Sequence, residues 1–278
     1  MIASTIGEIG SRWELEPGVV VALVAAAAIY LAGVRRARRW PAARTAAFLA
    51  GLVVLAVATT SGLHAVGEEL LSVHMVQHLV LTLAVPPLLL AGAPLVLALR
   101  TLPPGPRRSL ARLTVGPAGR VAAHPAVALT VFVVVLLGVH APPVYDAALR
   151  SPPIHAAEHV LFLAAALLLW VPVLAVEPLP HAPSPLLRIL VVLAAMPPMI
   201  ALGVALRCSA SVVYDGYAAT AAAHGTTALA DQRLAGIVMW VGGSLAMAAI
   251  AVTAGWMAIL REERRAVRAE GLGRRPAA

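Results

Sequence analysis

The sequence predicts an all-α, polytopic membrane protein: one transmembrane domain over residues 1–278, built as a seven-helix bundle with its N-terminus outside and its C-terminus cytoplasmic. Three observations predict this. The chain is 60% hydrophobic and only 12% charged, with a mean hydropathy of +0.88, leaving too few polar residues to cover a water-soluble surface. Apolar runs able to cross a bilayer, which takes about 20 helical residues, recur near 17–34, 45–63, 72–99, 125–140, 156–176, 188–206 and 234–260. Finally, the 21 basic residues are all arginine, and in this topology seventeen lie in inner segments while only Arg12, Arg150, Arg207 and Arg233 lie outside.

The opening stretch, MIASTIGEIGSRWELEPG, has mixed charge and no basic leader, so the first span reads as a retained anchor. The second span ends at His64. The third, SVHMVQHLVLTLAVPPLLLAGAPLVLAL, carries two histidines and the Pro86–Pro87 pair, and residues 100–124 read as an inner loop. The fourth run is short and fills a bilayer only if its ends enter the interface. The fifth opens with HAAEHVLF, like the HMVQHLVL of the third, and the sixth contains Pro197–Pro198. Such prolines remove backbone donors and should kink their helices. Residues 207–232 form an outer loop. At the seventh span Asp231 is placed to cap the helix start, while Gly236, Gly242 and Gly243 permit close packing. Residues 261–278 read as a cytoplasmic basic tail.

The net charge of +8 therefore reflects topology and attraction to an anionic bilayer. No stacking aromatics accompany the arginines, which argues against nucleic acid as a partner. Glu8, Glu14, Glu16, Glu68, Glu69, Asp146, Glu158, Asp215 and Asp231 fall outside, mostly as ordinary solvated loop charge. Arginine, alanine and valine bias fits a GC-rich bacterial source, hence a multi-pass protein of the bacterial cytoplasmic membrane. The single cysteine, Cys208, excludes an internal disulfide and a thiolate cluster.

Seven of nine histidines map to the outer side; His124 and His181 belong to inner loops. His74 and His78 share one helix face, about 6 Å apart along the axis, as do His155 and His159. If those faces meet, four imidazoles converge one to two turns below the outer surface, with His140 at the same level. Single histidines at helix ends usually bond a carbonyl or water. Two pairs at ligand spacing point instead to a metal site, because polar groups in a bilayer are costly and face a site or cavity. Imidazoles without cysteine suit copper or zinc. Glu158, Asp146 and Asp231 are available to accept the rings' other N–H. Met239 and Trp240 read as packing residues; Met75, Met196 and Met199 have the soft donor that copper(I) takes, but Met75 is turned about 100° from His74 and most methionines in such a bundle pack.

Three blocks in order, HMVQHLVLTLAVPPLLLAGAPLVLALR, GVHAPPVYDAALRSPPIHAAEHVLFLAAALLLWVPV and DQRLAGIVMWVGG, resemble the CtaG-type membrane proteins associated with assembly of caa-type cytochrome c oxidase. The resemblance covers about 45–260. It maps the paired histidines onto His74, His78, His155 and His159, and a His-x-Pro-x-Tyr-Asp segment onto His140, Pro143, Tyr145 and Asp146. Its Asp-Gln-x-x-x-Gly-x-x-x-Trp segment falls on Asp231, Gln232, Gly236 and Trp240. Val139 stands where the family often has tryptophan. The resemblance implies a non-enzymatic assembly factor that handles copper and has oxidase subunits as partners. Other readings of the residues are an intramembrane histidine-zinc hydrolase acting on a lipid-like substrate, a single-haem cytochrome, and a metal-free scaffold.

Overall fold

In lipid every backbone N–H must find its acceptor inside the protein, and long apolar segments meet that demand as helices. The computed structural model describes residues 2–178, 183–253 and 255–256, with side chains from residue 7 onward. His181 and the 261–278 tail lie outside the described residues. Among those residues the chain is helical, with one isolated antiparallel bridge, Trp13 to Ser61.

Among the described residues, six helices are long and apolar enough to cross a membrane: Pro17–Arg36, Ala42–Thr60, Leu71–Thr101, Pro152–Leu174, Pro185–Cys208 and Ala228–Thr253. A further crossing arises if Pro104–Ala122 and Pro125–Val139, bent by 74° at their junction, count as one span. The expected inner loop is therefore largely helix, in two pieces with no buried residue. Pro104, Pro117 and Pro125 each sit in the first turn of a new helix, where a missing N–H costs nothing.

The third span lies at the centre, packed on the second, fifth and seventh; the fifth also packs on the fourth, and the sixth on the seventh. Burial follows this order: half or more of the third and fifth spans is buried (56% and 50%) against 6% of the first. The histidine pairs thus ride on the two most enclosed helices. Gly203 and Gly236 let the sixth and seventh spans touch through backbone, since a Cβ on Gly236 would come 2.5 Å from the Gly203 carbonyl oxygen.

The proline pairs act differently from one another. The sixth helix runs unbroken through Pro197–Pro198. In the third, a π-helical turn, Val80–Ala84, precedes Pro86–Pro87, and a left-handed Ala93 breaks the helix lower down. The donors one α-turn and one π-turn beyond Thr82 are both prolines, so its carbonyl has no helical partner. The Trp170 indole N–H of the fifth span donates to it at 2.7 Å. The seventh span has its own π turn, Val238–Gly242. It begins earlier than expected, because Thr227 caps it by accepting from Ala230 N–H. Asp231, expected in that role, is one turn inside and points elsewhere.

At the opposite end from the histidines, Trp40 donates to the Tyr30 hydroxyl, which donates to the Gly92 carbonyl. Arg44 and Arg100 lie over the Trp40 ring, tying the first loop to the foot of the third span.

Candidate metal centre

The first two turns of the third and fifth spans, the end of the fourth and the helix Gly62–Gly67 meet at one end of the bundle. His74 and His78 come from the third span, His155 and His159 from the fifth, His140 follows the fourth, and His64 comes from the short helix. Ring centroids lie 4.2 Å apart for His74–His78, 4.4 Å for His155–His159, 5.4 Å for His74–His155 and 5.4 Å for His78–His140. One donor atom each from His74, His78 and His159 lies within 4.8 Å of the others. The two faces do meet, and the four paired histidines and His140 lie together at one end of the bundle.

The hydrogen bonding of this cluster is incomplete. His74 Nε2 and His78 Nε2 are 2.7 Å apart, so one donates to the other, and both Nδ1 atoms are buried without a partner. One of these must carry a proton with no acceptor, which costs about 1–3 kcal/mol. His140 Nδ1 donates to the Leu136 carbonyl at 2.7 Å, which leaves Nε2 as a lone pair, also buried and unpartnered. His155 Nε2 and His159 Nε2 are in the same condition. Five buried ring nitrogens on neighbouring imidazoles thus lack partners, a condition that coordination to a cation would relieve.

The expected supporting residues separate. Glu158 is buried, with Oε1 3.5 Å from His78 Nε2, and neither oxygen has a hydrogen bond. Tyr145 has its ring 5.5 Å from His74 and 6.0 Å from His140. Its hydroxyl pairs with Tyr217 at 3.1 Å, and burial pushes the phenol well above its ordinary range. Asp231 accepts from both the N–H and the hydroxyl of Ser72, holding the start of the third span two residues before His74. Asp146 is half-buried with Oδ1 unpartnered and bonds none of the histidines.

Sequence reasoning left the part of His64 open and missed Glu68, Gln77 and the tyrosine roof. His64 stacks on His155 at 5.5 Å, and Glu68 Oε1 lies 3.5 Å from His155 Nδ1 and 3.9 Å from His64 Nε2. The His155 contact holds the Glu68 carboxyl below its usual range. Gln77 donates to the Ala58 carbonyl at 2.8 Å and stands 3.3 Å from His64 Nδ1. The connecting segment 209–227, shorter than the expected 207–232 loop, folds back as a roof: Tyr214 donates to the His140 carbonyl and Tyr217 to the Gly67 carbonyl. Gln232 anchors that roof through Val213 N–H and the Ser211 carbonyl. A cavity of about 280 Å³ lies between the first, second and fifth spans, apolar along most of its length, with His64, Glu68, His155 and His159 on its wall. Arg12, Glu69 and His224 form a separate ion-paired group nearer the surface.

The chain matches the cytochrome c oxidase caa3 assembly factor family over residues 28–259. It is 31% identical over 248 residues to uncharacterized proteins of Mycobacterium bovis and Mycobacterium tuberculosis, covering 85% of this chain and 38% of each relative. An uncharacterized protein of Mycobacterium leprae is 30% identical over 223 residues, or 76% of this chain and 34% of the relative. The chain therefore spans well under half the length of these relatives. No solved structure matches it. A multi-pass helical bundle with a histidine-lined end, matched over most of its length, places this chain in the cytochrome c oxidase caa3 assembly factor family.

Proposed function

We propose that this protein binds copper as cargo in the histidine cluster, at the outer face of a bacterial cytoplasmic membrane, and supplies it to cytochrome c oxidase subunits during assembly. Family membership supports the oxidase as partner. The observation that carries the copper reading is the set of buried ring nitrogens on His74, His78, His140, His155 and His159 that lack hydrogen-bond partners. Bound copper would supply the acceptor for those lone pairs. The chain's own residues orient them: Leu136 fixes the His140 tautomer, Asp231 fixes the start of the third span, and Tyr145 closes one side. No group-transfer step is assigned to the site, and the protein acts without turnover.

The test is copper retained by purified protein after anaerobic loading, measured by mass spectrometry beside a His74→Ala, His78→Ala, His155→Ala, His159→Ala variant. Copper held by the unsubstituted protein alone, with lower oxidase activity in cells carrying the variant, is the expected result. Equal retention by both would sink the copper reading and leave a metal-free scaffold. A second reading, a zinc hydrolase, draws on Glu158, whose unpartnered carboxylate beside His78 has the placement of a general base. Zinc-dependent hydrolysis of a lipid ester, lost in Glu158→Gln, would select it.

A further inference from the structure

The cavity divides the histidine cluster into two layers. His64, Glu68, His155 and His159 line it, whereas His74, His78 and His140 lie behind, exposed by 1%, 1% and 2%. We propose that Glu68, His64 and His155 form a second, outer cation site, which takes up a divalent first-row metal ion from the cavity side before the inner imidazoles receive it. This rests on the metal-binding reading above and extends it to His64 and Glu68, which that reading does not use.

Donor atoms of the three side chains lie within 4.8 Å of one another. Glu68 Oε1 stands 3.5 Å from His155 Nδ1 and 3.9 Å from His64 Nε2. Ligands about 2 Å from a tetrahedral ion stand about 3.3 Å from each other, so small side-chain rotations suffice. His155 belongs also to an inner group with His74 and Glu158, and its Nε2 is buried without a partner. One imidazole therefore borders both sites and can pass an ion between them without releasing it to water.

The two sites differ in charge. His74, His78 and His159, the last of which also touches the cavity, offer imidazole nitrogens only, while the outer group adds a carboxylate on the Gly62–Gly67 side of the cavity. That negative charge favours a divalent ion more strongly than a monovalent one. Gln77 Nε2 at His64 Nδ1 holds the ring with its other nitrogen toward Glu68. Glu68 is half-exposed, and glutamine keeps its shape and volume, so Glu68→Gln removes the charge with little change in packing.

The experiment loads full-length protein in detergent with copper(II), and separately with cobalt(II) as a spectroscopic probe. Bound metal is counted in the unsubstituted protein, in Glu68→Gln with His64→Asn, and in His74→Asn with His78→Asn, each checked as monodisperse. About two equivalents in the first protein and about one in each variant are expected, the outer variant also losing the cobalt d–d band of a mixed carboxylate–imidazole site. If the outer variant binds as the unsubstituted protein does, while the inner variant loses all metal, the outer site is overturned and the inner reading stands. If the unsubstituted protein binds no metal, both fall.

Discussion

Asp231 shows how one side chain can serve a site it does not touch. Its carboxylate accepts two hydrogen bonds from Ser72, across from the seventh span to the third, and so fixes the first turn that carries His74. Asp231→Ala leaves two buried donors without an acceptor. A loss of about 1–3 kcal/mol in stability is expected, with about tenfold weaker copper binding from the loosened turn. Thermal unfolding in detergent and a copper titration read the two effects; a variant unchanged in both would refute the tie. The sequence marked Asp231 as chemically interesting but suggested the wrong bond, because a capping residue and a cross-helix acceptor look alike until the helices are packed.

At the scale of elements, the third span depends on a neighbour. Pro86 and Pro87 leave the Thr82 carbonyl without a backbone donor, and Trp170 replaces that donor from the fifth span. Trp170→Phe keeps an aromatic, though smaller, side chain and removes the N–H. It should lower stability by about 1–3 kcal/mol and disturb the register between the two histidine-bearing helices, seen as reduced copper retention without loss of helical circular dichroism. Full retention and unchanged stability would show that the indole bond is dispensable. The proline pair was visible in the sequence as a break. What it became, a π turn with a borrowed donor, was not visible, since the compensating group lies 88 residues away.

The helix Ile2–Ser11 is the other element whose role is tertiary. It lies against Gly62, where a Cβ would come 2.5 Å from the Glu8 carbonyl oxygen, and it covers the short helix that presents His64. Arg12 holds it there through paired hydrogen bonds to Glu69 at 3.0 and 2.9 Å. His224 bonds the same carboxylate at 2.7 Å, and Glu8 and Glu14 flank the guanidinium. The Arg12 bond holds the Glu69 carboxyl below its usual range. The contribution of this contact is therefore complete above the ordinary glutamate pKa, about 4.3, and is lost as pH falls through the depressed folded value. Acidification should free the helix, and Arg12→Gln should free it at neutral pH. Hydrogen exchange over residues 2–11 checks both, and protection that is indifferent to pH and to the substitution would refute the latch.

For the whole molecule the open question of orientation has a direct test. The arginine distribution predicts that the histidine end faces outward, and Cys208, the single cysteine, is exposed at that end of the sixth span. A membrane-impermeant maleimide should label Cys208 in intact cells. A Ser109→Cys, Cys208→Ser protein should be labelled only after permeabilisation, since Ser109 is exposed in the helical segment at the other end. The reverse pattern would invert the topology and move the site to the cytoplasmic side.

The sequence by itself determined that the chain is a polytopic helical bundle and that His74, His78, His155 and His159 lie at matched depth. Hydropathy and the four-residue helical repeat are local properties, legible without knowing which helices touch. Only the tertiary structure decided that those faces meet and that His64 and Glu68 join them. It also decided that Tyr214 and Tyr217 roof the cluster and that the cavity reaches one layer of it. Those relations depend on helix packing and on how the 19-residue segment 209–227 between the sixth and seventh spans folds back, and no spacing along the chain encodes either.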